Sequence, residues 1–132
     1  MPILIEWDDE ASTVLKHTYT GRWTLDDFHQ AIDRNSAMML SVPHRVDIIV
    51  DLSQNHHLPP GILSAAGRLV RKTPTNQGIN IMIGANQFTR LMLRAAITLV
   101  PSGDQFLYFA SNLEEAYEIL SQHRTAGASQ SD

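Results

Sequence analysis

The sequence predicts an α/β domain built on a single mixed, mostly parallel sheet, with its elements in the order ββαβαβαβα. Two near-continuous apolar runs, Val46-Asp47-Ile48-Ile49-Val50 and Ile79-Asn80-Ile81-Met82-Ile83, have the pattern of strands covered on both faces. Segments of helical period separate these runs from each other and from a short strand at 105–110. Strands joined through single helices run parallel with right-handed crossovers. The first two strand-like segments, 3–7 and 13–21, are joined instead by a short acidic turn, so they pair antiparallel.

Each element has a local reason. Thr13 to Gly21 alternates β-branched and aromatic residues with polar ones, the period of a strand. Thr24-Leu25-Asp26-Asp27 then has the form of a capping box, with Asp27 in the place usually held by Glu. Trp23 and Phe28 have the spacing of a hydrophobic staple, which makes Trp23 a packing residue. The first helix is expected to reach Met39 or Leu40, with Leu25, Phe28, Ile32, Ala37 and Met39 on its covered side, before Pro43 blocks continuation.

The strand over 45–52 ends on Asp51-Leu52-Ser53 and opens into Gln54-Asn55-His56-His57. A second helix is expected at 61–72, and 73–78 reads as a loop from its turn formers and proline. After the strand at 79–86 comes a third helix, 88–100, apolar enough to be largely covered, and then the last strand. Ser111-Asn112-Leu113-Glu114-Glu115 begins a final helix that packs Leu113, Ala116, Tyr117 and Leu120 on one stripe. The polar tail at 125–132 is expected to be disordered, leaving one domain over 1–124.

Composition agrees with one domain and narrows the partners. A chain of 132 residues, 43% hydrophobic and 18% charged, supports one core. Its net charge of −4 supplies no basic field for nucleic acid. With no cysteine, disulfides, thiolate zinc sites and cysteine nucleophiles are excluded. The N-terminus lacks the basic region of a signal peptide. The longest apolar stretch, 91–100, contains Arg94 and falls short of a membrane span, so a cytoplasmic protein is expected.

Asp51 is the strongest candidate site residue. Loops at the carboxyl ends of parallel strands form the crevice where open α/β sheets bind ligands and partners. An acidic residue there either faces a ligand or accepts hydrogen bonds from the backbone of residues 53–55 in an Asx-type turn. Ser53, Asn55, His56, His57, Asn86 and Gln87 share that edge. The six histidines fall in five separate segments and show no metal-ligand spacing; the adjacent His56 and His57 read as solvated loop residues, and no metal or other cofactor is expected. Ser53, His56 and Asp51 are too close in sequence to form a nucleophilic triad, and no Gly-x-Ser-x-Gly elbow exists; no catalytic residue is assigned. The Gly84-Ala85-Asn86-Gln87 turn leads into a helix but lacks the lysine and repeated glycines of a phosphate loop.

The order of elements, the strand ending in Asp51-Leu52-Ser53 and the closing Ser111-Asn112-Leu113-Glu114-Glu115-Ala116 resemble the STAS superfamily of anti-sigma-factor antagonists and sulfate-transporter tails, over roughly residues 3 to 122. In signalling members, a serine in an Asp-Ser-Ser-Gly type segment after this strand is phosphorylated. Here Leu58-Pro59-Pro60-Gly61 stands in that place and only the glycine matches. The resemblance therefore implies a regulatory or protein-docking module without the phospho-serine switch, working through the strand-end loops and the second helix. The alternative is a small-ligand binder, for a lipid or nucleotide, or a modest enzyme, using the Asp51/His56/Asn86 edge. Covered helices and few charges also leave room for a homodimer.

Overall fold

A computed structural model describes residues 2–54, 58–62, 64–65, 74–98 and 106–130. The described elements are β1 (Ile3–Trp7), β2 (Val14–Tyr19), α1 (Leu25–Leu40), β3 (Val46–Asp51), β4 (Gln77–Ile83), α2 (Gln87–Ile97), β5 (Leu107–Ala110) and α3 (Leu113–Gln130). One five-stranded sheet runs in the order β1-β2-β3-β4-β5, with β1 antiparallel to β2 and every other pair parallel. Between β3 and β4, Ile62, Ser64 and Ala65 are helical, and the Ala65 N–H donates to Gly61 O at 3.1 Å. The rest of the helix expected at 61–72 lies outside the described residues.

Strand alternation divides the sheet into two faces. Cross-strand register aligns Ile5, His17, Val50, Met82 and Phe109 on one face, and Glu6, Lys16, Ile49, Ile81 and Tyr108 on the other. On the first face, Phe28, Ala31 and Met39 of α1 pack with Ile3, Ile5, Leu15, Ile48 and Val50. On the second, Ala116 and Leu120 of α3 pack with Val14, Ile49, Ile79, Ile81 and Ile83. Coverage from both sides explains why β3 is buried from Val46 through Val50 and why its sequence does not alternate.

The capping box of α1 is present: Thr24 Oγ1 accepts the Asp27 N–H at 3.1 Å, and Asp27 Oδ2 accepts the Thr24 N–H at 2.9 Å. Trp23 is buried, its ring 6.0 Å from Phe28 and 5.0 Å from Tyr19 between centroids. Several expectations need correction. Ala37 is exposed, and Ala31 and Asn35 take the inward positions of α1. β4 begins at Gln77 inside the expected loop, because Gln77 pairs with Val46 in the ladder. Tyr117 is 42% exposed and donates to Asp8 Oδ2 at 2.5 Å, while Ile119 joins the packed side of α3. That hydrogen bond, with some burial, pushes the Tyr117 phenol up to about 12. Apart from these corrections, α3 runs as far as Gln130.

Two buried polar groups tie layers together. His17, within the strand expected at 13–21, is 3% exposed in β2, with its Nε2 at 2.8 Å from Asn35 Oδ1 of α1. Because a carbonyl oxygen only accepts, Nε2 carries the proton. Burial holds the imidazole well below its ordinary value, at about 4, with the bond to Asn35 opposing the shift.

On the opposite face, Asp47 is 1% exposed. Its Oδ1 accepts from the Ile79 N–H at 2.9 Å and pairs with Arg45, whose Nη2 is 3.0 Å away. Its Oδ2 pairs with Arg124 Nη2 of α3 at 3.2 Å, and the same nitrogen donates to Thr13 O. Asp47 thus joins β3, β4 and α3 through one carboxylate. Gly78 is required beside it: a Cβ there would lie 1.9 Å from Asp47 Oδ1 and 2.3 Å from Arg45 Nε.

Candidate functional site

The carboxyl edge of the parallel strands is assembled by backbone contacts between adjacent loops. β3 ends at Asp51, and the following Leu52 N–H donates to Ile83 O at 2.9 Å. β4 ends at Ile83, and the following Gly84 N–H donates to Ala110 O at 3.2 Å. Gly84 has φ +70, and a Cβ there would sit 2.7 Å from the Ser53 Cα. Both the left-handed backbone and the close crossing of the two loops therefore demand glycine.

Within this edge Asp51 has a local role. Its Oδ1 accepts the Ser53 N–H at 2.9 Å and the Ser53 hydroxyl at 2.6 Å, which is the Asx-type turn weighed from the sequence. Asn86 acts likewise: its Oδ1 accepts the Thr89 N–H at 2.8 Å and caps the start of α2. Gln87 is the first residue of α2 and is exposed. The edge therefore brings Asp51 and Ser53 beside Gly84, with Asn86 and Gln87 following in the next turn. Asn55, His56 and His57 lie outside the described residues. Replacing Asp51 with Ala is expected to lower the unfolding free energy by about 1 kcal/mol, through loss of the turn hydrogen bonds. Urea unfolding measures this.

The less expected part of the site is α2. The sequence suggested a largely covered helix; instead Phe88 is 66% and Leu91 69% exposed, and Arg94 and Ala95 are exposed as well. Thr89 is the buried position, with Met92, Leu93 and Ile97 half-buried, so the inward side of α2 is narrower than its apolar content implied. At 100° per residue, Phe88, Leu91 and Ala95 form one outward stripe. The signal was available in the i, i+3, i+7 spacing of these residues, but an apolar stripe reads equally as core until its partner layer is known.

Two arginines flank that stripe. The Arg90 Nε donates to Ala85 O at 3.1 Å, and its guanidinium carbon lies 5.3 Å from the centroid of the Phe109 ring. Arg94 lies 5.1 Å from the same centroid. Both distances are within cation–π range. The helix QFTRLMLRAAI contains no acidic residue. A basic and partly apolar surface therefore adjoins the carboxyl edge of a chain whose net charge is −4.

Among the described residues, no group of three or more His, Cys, Asp or Glu side chains could hold a metal ion. No helix among them is long and apolar enough to cross a membrane. Comparison with protein-family models, curated proteins and solved structures returns no match.

Proposed function

We propose that the chain is a non-catalytic docking module of the STAS-like kind, which engages a protein partner through the strand-end loops and, in place of the helix expected at 61–72, through α2, without a phospho-serine switch. The observation that carries this reading is the exposure of Phe88 and Leu91 on a helix that starts at the carboxyl edge. Large apolar side chains grouped on a polar-rimmed surface mark interaction sites more often than scattered single ones do. The polar groups nearest the edge support binding over catalysis, because Asp51 serves the Ser53 turn and Asn86 caps α2. A general base needs its acceptor oxygen within reach of a substrate proton. Asp51 Oδ1 already accepts two hydrogen bonds from Ser53.

The test compares the wild-type chain with Leu91→Asp, each purified from its own host and examined by native mass spectrometry. Leu91 is exposed, so the variant is expected to keep the wild-type melting temperature. The wild-type protein is expected to retain a protein partner that the variant loses. A partner retained equally by both removes α2 from the docking surface. A metabolite or lipid held by both, with no protein, instead favours the small-ligand reading at the Asp51/His56/Asn86 edge.

A further inference from the structure

We propose that Arg90 and Arg94 form a carboxylate clamp, through which α2 docks an acidic segment of a partner protein whose apolar side chains cover Phe88 and Leu91. This rests on the docking reading above and adds the chemistry of the partner. The two guanidinium groups are held over one ring, Phe109, and Arg90 is further anchored to Ala85 O. A guanidinium positioned in advance loses less rotamer freedom when it takes up a ligand.

Among the described residues the clamp has no counter-charge. Among the described residues the ion pairs join Arg45 and Arg124 to Asp47, and no carboxylate lies within 4.0 Å of Arg90 or Arg94. Two neighbouring cations repel each other, and a shared oxyanion relieves that repulsion while accepting parallel N–H bonds. Their i, i+4 spacing places the arginines on one flank of α2, alongside the stripe of Phe88, Leu91 and Ala95. Basic and apolar strips thus run side by side along the helix. The complementary surface carries acidic and apolar residues at matching intervals, as one face of an amphipathic helix does.

Other occupants fit less well. A bilayer would meet the whole flank of a chain with net charge −4, whereas a peptide touches α2 alone. A second copy packed α2 against α2 about a two-fold axis would set arginines against arginines.

The test uses fluorescence anisotropy with a labelled amphipathic peptide carrying leucine and glutamate at helical spacing, and a counterpart with glutamine at each glutamate. The full chain is expected to bind the glutamate peptide at least about tenfold more tightly than the glutamine peptide, a difference of about 1.4 kcal/mol, and more weakly as salt rises. Arg90→Glu/Arg94→Glu is expected to lose that preference, and Arg90→Lys/Arg94→Lys to keep part of it. Circular dichroism melts confirm that both variants fold. Equal binding of the two peptides, unchanged binding by the charge-reversed variant, or no binding of the glutamate peptide each overturns the clamp. So does an Arg94-dependent signal seen only with phosphatidylserine vesicles, or only as self-association in sedimentation velocity. If charge reversal changes nothing while Leu91→Asp still releases the retained partner, the clamp fails and the docking reading stands. If Leu91→Asp also releases nothing, both fail.

Discussion

Replacing Asp47 with Ala is expected to lower the unfolding free energy by about 2–4 kcal/mol, measured by urea denaturation. The loss is not an unpaired buried cation. The Arg45 and Arg124 side chains are 48% and 42% exposed, so both can rehydrate when the carboxylate is removed. What remains is the Ile79 N–H, buried in β4 without its acceptor, together with the loss of the link from β3 to α3. Asp47→Asn retains an oxygen for that N–H and is expected to lose about half as much.

Gly78→Ala should produce a destabilisation of similar size by a different route, because the new methyl occupies the space of Asp47 Oδ1 and Arg45 Nε. Displacing the carboxylate breaks the same contacts that Asp47→Ala removes. The two substitutions should therefore be strongly non-additive: in an Asp47→Ala background, adding Gly78→Ala costs less than it does alone. Equal cost in both backgrounds would show that the glycine answers to something other than this carboxylate.

The second large effect is an acid instability centred on His17. Its folded-state value, held at about 4 by burial, lies below the 6.5 of an exposed imidazole. Between these two pH values the unfolded chain binds a proton that the folded chain refuses, so stability rises with pH across that window. The contribution is fully present above pH 6.5 and is lost as pH falls toward 4, on the order of 3 kcal/mol in all. Unfolding midpoints collected across this range should show the slope in the wild type, and His17→Gln should flatten it. A slope that survives the substitution would place the titrating group elsewhere. His17→Gln also tests the bond to Asn35, since an amide of similar length can still donate to Asn35 Oδ1.

Much of the carboxyl edge was legible from residue type alone. An aspartate followed two residues later by a serine carries its own turn, and an asparagine three residues before Thr89 carries its own cap. Such bonds close within a few residues, so the local chain determines them. The exposure of Phe88 and Leu91 was not legible. Helix α2 is apolar on more than one side, and which side is buried depends on how it lies against the sheet. The stacking of both arginines on Phe109 joins residues of α2 to one of β5, across the segment between them and beyond the reach of any local pattern.

The same division holds for the fold. Hydrophobic period, capping residues and turn formers were enough to determine an α/β chain with a mixed sheet and an antiparallel first pair, because each of those signals acts over one turn of helix or two residues of strand. The aspartate inside the Val-Asp-Ile-Ile-Val run and the histidine at position 17 were visible in the sequence. Their burial was decided only when Arg124, 77 residues along the chain, came to Asp47 and Asn35 came to His17. A polar group is admitted to a core by the partner that satisfies it, and that partner is supplied by the packing of layers distant in sequence.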